Sequence, residues 1–407
     1  TDTTVTDSQR YGFFARGDNA GTLFTNSTIT GTAGVPSTEH GMMLFDAKNL
    51  RVTGNTISDS AGAGLYLTGD NSGTVVRDND FDGNRFGIAF VNATNTDIGG
   101  DAPGEDNRIV GGGDPLLGQY RDGIYATGVN TGSSITQTSI TSCWTGVNLE
   151  SATGLTVADT DVAKATGFGL YAKGVNTGTV LDDLFVVQSP PSSTSVGNVL
   201  DGAEGLTIDN SQLTADGTAL YVIGGAAGTI IEDSQIFGQT TGLNVLGAVG
   251  LTVRRNAISG TTNGLIVTGT STGTSITANT IQATAASGAA ASFYSVTGAT
   301  FDDNTSVTTG GNGFGFYATG NNSGTLVRRN VFTNNTVGVY LNAATNIVFG
   351  TNGTPANGNT ISLSSFAGLQ AAGACTSSFV YDTTWTSNAQ NVFSTATGLT
   401  ISPAAPS

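Results

Sequence analysis

The sequence predicts an all-β solenoid, a single stack of about sixteen short coils with no globular second domain. Three observations carry this. Gly64–Ile109 recurs almost in order at Gly315–Ile361, about 251 residues later, keeping its glycines, its NSGT turn and its closing N-x-I. Inside each copy a shorter beat runs, with Gly64 and Gly87, like Gly315 and Gly338, about 23 residues apart. Charged residues make up only 11% of the 407, so polarity falls to Thr, Ser, Asn and Gly, which suit strands and tight turns rather than helices.

The glycine that opens each coil can be followed from Gly12, Gly41, Gly64 and Gly87 through Gly123, Gly146, Gly169 and Gly197. It continues through Ala219, Gly242, Gly264, Ala290, Gly315, Gly338 and Gly368. Loops interrupt the beat at 35–40, 99–122, 187–196 and 350–358. Each coil reads as short strands: after Gly64 come Leu65-Tyr66-Leu67, the Gly69–Gly73 turn, Val75-Val76, then Asn79 and Phe81. Strands this short need the next coil for their backbone hydrogen bonds, and a chain that always returns in one sense pairs them in parallel. The inward positions then form apolar ladders, among them Leu65/Leu67, Ile88/Phe90, Ile124/Ala126, Val147/Leu149, Leu243/Val245, Leu265/Val267 and Val339/Leu341.

A polar ladder lies three residues past the second strand: Asn55, Asn79, Asn256, Asn279, Asn304 and Asn330, with Ser27, Ser211 and Ser234 in other coils. Its recurrence marks it as structural. Coils with a long G-x-x-x-G-[TS] turn alternate with coils that turn a shorter corner, so the repeating unit is two coils of about 46 residues. Cys143 and Cys375 occupy different places in distant coils, and both are expected to be free.

A net charge of −16 argues against nucleic acid as a partner, because few Lys or Arg exist to replace counterions on phosphate. No apolar run approaches a membrane span. The first residues carry no basic-then-apolar leader, so a secretion signal would lie outside this sequence.

The glycine-opened coils, the V-x-x-N-x-[IF] element and the Ile98–Ile109 loop IGGDAPGEDNRI resemble the right-handed parallel β-helix repeat proteins of bacteria, secreted and cell-surface types included. The resemblance covers nearly the whole chain. It implies a right-handed parallel β-helix, and it implies functions ranging from pectin- and alginate-active enzymes and phage tailspikes to very large secreted or cell-surface proteins with no known chemistry.

Enzymes of that kind need two or three carboxylates in one cleft on adjacent coils. The sequence-adjacent pairs are Asp182-Asp183 and Asp302-Asp303, several coils apart, and neighbours in a strand point to opposite faces. The sole histidine, His40, has no basic or N-x-D partner element nearby. Arg254-Arg255 and Arg328-Arg329 take a turn position that other coils fill with Asp or Thr, which reads as surface. No cofactor motif is present, and no catalytic residue is assigned. Asp101, Glu105 and Asp106 are weak Ca²⁺ candidates, weakened by the acid-free sister loop GTNGTPANG.

One further row stands out. Between the two inward residues of the first strand a side chain faces outward: Phe14, Tyr66, Tyr125, Tyr171, Tyr221, Ile266 and Tyr317 in the long-turn coils, with Tyr340 in the coil after. An outward aromatic in every second layer, about 9.6 Å apart, is suited to packing on the protein's own loops, to a protein partner or to a polysaccharide. The opening TTVTDSQ aligns with a second strand, and the chain stops in a second strand at GLTIS, a match that suggests copies associating end to end. The expectation from sequence is therefore an extracellular, non-enzymatic structural or adhesive solenoid, a protomer of a head-to-tail filament. The alternative is a carbohydrate-binding or carbohydrate-active β-helix.

Overall fold

The computed structural model describes residues 1–31, 39–100, 105–111, 121–188, 196–309 and 313–403. They fall into two compact units, Thr1–Pro191 with Gly197–Gln212, and Ser192–Val196 with Leu213–Ser407. Each unit is a parallel β-solenoid, and among the described residues the only helical turn is Pro355–Asn357.

Every coil contributes up to three strands, which stack on their counterparts to make three faces. In the first unit, face A contains Tyr11–Asp18, His40–Lys48, the start of Ala63–Arg77, and the starts of Phe86–Ile98, Asp122–Ile135 and Thr145–Ala163, followed by Phe168–Val175. Its register runs Met42, Leu65, Ile88, Ile124, Val147, Leu170 from coil to coil. Face B aligns Val52, Val76, Ile98, Ile135 and Val157, and face C aligns Ile29, Ile57, Phe81, Ile109 and Ile140. These residues are all buried, as are all seven apolar pairs expected from the sequence. The second unit repeats the pattern, with Leu243, Leu265, Ala291, Phe316, Val339 and Leu369 in one face A row.

The coil-opening glycines are there for lack of space. A Cβ on Gly64 would stand 2.8 Å from the Phe81 ring and 2.9 Å from the Gly87 carbonyl oxygen of the next coil. Face C therefore presses directly on the face A backbone. The asparagine ladder forms as expected and is longer. Asn55 Nδ2 donates to Asn79 Oδ1 at 2.9 Å, and Asn79 Nδ2 donates to Asn107 Oδ1 at 3.1 Å. In the second unit Asn256, Asn279, Asn304, Asn330 and Asn359 continue one chain of such bonds. Asn107 and Asn359 are extra rungs, reached across the two long loops through the N-x-I element that closes each.

The alignment of the opening residues needs correcting. Thr4–Thr6 pairs with Thr28–Thr30, so it lies on face C rather than in a second strand, because Thr3 rather than a later residue meets the Ser27 rung. The last strand, Thr397–Ser402, does lie on face B, with Ile401 opposite Val380. Both cysteines are buried and free, and burial pushes the Cys143 thiol up to about 12.

Candidate functional site

The outward row of face A lies in one register in the first unit: Phe14, Met43, Tyr66, Ala89, Tyr125, Asn148, Tyr171. Alternate coils carry the aromatic, as expected. Three residues upstream a second outward row runs Phe86, Asp122, Thr145, Phe168, with Tyr11 and His40 paired in the earliest coils. Together the rows enclose a groove of about 860 Å³ whose walls include His40, Tyr66, Phe86, Tyr125, Trp144, Phe168 and Tyr171. Ala89, Thr145 and Asn148 floor it, and Arg85, Asp122 and Glu150 supply its charges.

The tyrosines stack on their own chain while keeping one face outward. Tyr66 lies over His40 at 4.3 Å between ring centres, Tyr125 over Phe86 at 5.0 Å and Tyr171 over Phe168 at 5.6 Å. All three remain half-buried. Such pairing fixes ring orientation before any ligand arrives, which lowers the entropy lost on binding. Trp144 packs against Gly167, where a Cβ would stand 2.6 Å from the indole, so the close approach requires glycine.

Polar groups tie the aromatic walls together. Asn148 Nδ2 donates to Asp122 Oδ2 at 2.9 Å, and the Tyr125 hydroxyl donates to Glu150 Oε2 at 3.1 Å. Among the described residues Asn148 Oδ1 is buried with no partner. Burial raises the Asp122 carboxyl above the usual range against the opposing bonds from Asn148 and Thr145. Burial, then the nearby Glu150 charge, pushes the Tyr125 phenol up to about 12. His40 is 5% exposed and burial pulls it down to about 4. Its Nδ1 accepts the Ala63 N–H at 2.9 Å, which leaves Nε2 to carry the proton of a neutral ring.

Asp122 and Glu150 thus share one groove on adjacent, paired coils. The sequence reading missed this pair because it sought acids adjacent in sequence. In a parallel stack the neighbours of a residue lie one coil away, and Asp122 faces Thr145 while Thr127 faces Glu150. That register was the available signal.

The remaining candidates lie elsewhere. Phe14 is 49% exposed and stacks on Tyr11 at 5.6 Å, outside the groove. In the second unit Tyr317 and Tyr340 are register partners, 5.5 Å apart and edge to face, while Tyr221 and Ile266 have Asn244 between them in the row. Asp302 and Asp303 are bound by Arg328 and Arg329 of the next coil at 2.8–2.9 Å. Asp302 is buried, so it is a paired structural carboxylate rather than a solvated turn residue. Arg254 and Arg255 likewise pair with Glu232 and Asp233, while Asp182 Oδ1 accepts from Asn210 Nδ2 at 3.1 Å. Among the Ca²⁺ candidates Asp101 lies outside the described residues, Glu105 is bound by Arg77 at 2.9 Å, and Asp106 is exposed. Among the described residues no three His, Cys, Asp or Glu side chains are grouped to hold a metal ion.

A search of curated proteins returns no match. Similar solved structures include the A-module of an Azotobacter vinelandii mannuronan C-5 epimerase, at 12% identity over 94% of this chain and 91% of that one, TM-score 0.38. The Streptococcus pneumoniae surface protein and adhesin PfbA is similar at 10% identity over 83% and 91%, TM-score 0.41. The Dettilon tailspike protein is similar at 16% identity over 69% and 58%, TM-score 0.41. The profile of the family described as a right-handed beta helix region matches residues 1–116 and 195–361. Well over half of the sequence fits that profile, and the chain belongs to the right-handed β-helix family.

Proposed function

We propose that this β-helix is an extracellular, adhesive glycan-binding protein and that the face A groove of its first unit is the binding site. The observation that supports this reading is the fixed row of half-exposed aromatic rings, Tyr66, Tyr125 and Tyr171, walled by Phe86, Trp144 and Phe168. Aromatic faces present apolar area to the C–H faces of sugar rings, while Asp122, Asn148, Glu150 and the tyrosine hydroxyls accept and donate hydrogen bonds to sugar hydroxyls. The reading keeps the adhesive role expected from the sequence and does not depend on copies stacking end to end. A glycan array probed with the whole chain tests it, with Trp144, one of two tryptophans, as a fluorescence reporter in the groove. Binding that disappears in Tyr125→Ala supports the proposal; an array without hits overturns it.

A second reading is favoured by one specific feature, the desolvated Asp122 one coil from Glu150. Two carboxylates facing one groove from adjacent coils are the usual equipment of glycan cleavage. On this reading the groove would turn its ligand over. Incubating array hits with the protein and following new reducing ends or unsaturated products tests it. Product formed by the parent chain but not by Asp122→Asn would establish an enzyme; intact ligand after prolonged incubation would leave binding alone.

A further inference from the structure

We infer that the groove selects an uncharged, extended hexopyranose chain, laid along the stacking direction of the coils with alternate sugars seated on Tyr66, Tyr125 and Tyr171. This rests on the groove being a glycan site, and it adds which glycans fit.

The direction follows from register. Tyr66, Ala89, Tyr125, Asn148 and Tyr171 are Cα partners in successive coils, so the three tyrosines rise from one line of backbone positions crossing the strands. Two layers at about 4.8 Å put neighbouring platforms about 9.6 Å apart. That is close to the advance of two pyranose rings in an extended, equatorially linked chain, and much longer than two rings advance in a coiled chain. Between platforms the row carries the smaller side chains Ala89 and Asn148, both of which line the groove.

The selectivity follows from charge. Among the groove's lining residues are two carboxylates, Asp122 and Glu150, and one guanidinium, Arg85. Arg85 is drawn over the Phe86 ring, its Cζ 5.1 Å from the ring centre. His40 brings no positive charge near neutrality, since burial holds its ring neutral there. Asp122 and Glu150 already accept from Asn148 and Tyr125, and their remaining lone pairs suit sugar hydroxyls. A uronate in this groove would place further carboxylates beside them in a partly desolvated site, where like-charge contact is expensive. The −16 net charge of the chain works in the same direction at longer range.

The experiment is calorimetric titration of the whole chain with five hexasaccharides: cellohexaose, mannohexaose, maltohexaose, hexagalacturonate and hexamannuronate, at low and at physiological salt. We expect cellohexaose or mannohexaose to bind at least tenfold more tightly than maltohexaose and than either uronate, a difference of about 1.4 kcal/mol or more. Tyr125→Ala should weaken the neutral ligand at least tenfold, while Tyr125→Phe, which keeps the platform, should stay within about threefold. The double variant Asp122→Asn with Glu150→Gln should gain affinity for the uronates and so narrow the gap. Circular dichroism on each variant separates lost binding from lost fold. A uronate that binds as tightly as the neutral hexaoses overturns the selectivity while leaving the groove a glycan site. A preference for maltohexaose overturns the extended geometry. If none of the five binds, this inference falls, and the glycan array then shows whether the binding reading falls with it.

Discussion

Asn279 illustrates how much one side chain carries in this architecture. It donates to the Val253 and Thr277 carbonyls and to Asn304 Oδ1, and its own Oδ1 accepts from both the backbone and the side chain of Asn256. It is 2% exposed, so water cannot replace these partners. Asn279→Ala leaves buried donors and acceptors unmatched in three coils, and we expect a loss of about 2 to 3 kcal/mol in urea unfolding of the chain. A change below about 0.5 kcal/mol would mean the rung is dispensable. His40 makes a different residue-scale prediction. Its folded pKa is about 4 against an ordinary 6.5, so the unfolded chain binds the proton more readily between those values. Its contribution is complete above about pH 6.5 and is lost as pH falls to about 4, amounting to roughly 3 kcal/mol. Asp122 acts in the opposite sense, because its raised carboxyl gains a proton more readily in the folded state as pH falls. His40→Gln should therefore show a smaller drop in melting temperature between pH 7 and pH 4.5 than the parent chain; an equal drop would place the acid sensitivity elsewhere.

At the scale of the element, the coil was legible and the groove was not, for the same reason. The inward residues, the opening glycines and the asparagine rungs answer to one geometric demand in every coil, so they recur and can be counted. Gly64 shows the demand directly, with Phe81 and the Gly87 carbonyl filling the space of a Cβ. Gly64→Ala must push face C outward, and we expect about 1 to 3 kcal/mol of destabilisation, read as a shifted urea midpoint. A Gly64→Ala protein as stable as the parent would show that the coil relaxes at no cost. The groove answers to no repeated demand. Its tyrosines fall in the regular row and were found, but the row three residues upstream changes type from coil to coil, with Phe86, Asp122, Thr145 and Phe168 in the groove and Thr218, Thr241, Asn263, Ala289 and Phe314 in the second unit. Only the coil-to-coil register, disturbed in the sequence by the loop at 99–122, brings Asp122 beside Asn148 and Glu150 within reach of Tyr125.

At the scale of the whole chain, two electrostatic effects compete, and salt separates them. Net charge of −16 on 407 residues opposes folding through self-repulsion, which added salt screens. Ion pairs across coils favour folding, and salt weakens those too. They include Lys48–Asp70 at 2.6 Å, Arg108–Asp80 at 2.6 Å, and the arginine pairs at Glu232, Asp233, Asp302 and Asp303. Most of these pairs have a partner well exposed to water, where the contribution is about 0 to 1 kcal/mol each. Arg328–Asp302 is different, since the Asp302 side chain is 4% exposed and screening hardly reaches it. The pairs that salt weakens are thus the ones that matter least, while the repulsion it relieves acts over every exposed carboxylate. Raising NaCl from about 10 to 150 mM, which shortens the screening length from about 30 to 8 Å, should therefore raise the melting temperature by on the order of 1 to 3 °C. A fall in melting temperature over the same range would show that the cross-coil pairs outweigh the repulsion. In that event Arg255→Gln, which removes the contacts to both Glu232 and Asp233, should abolish part of the salt response.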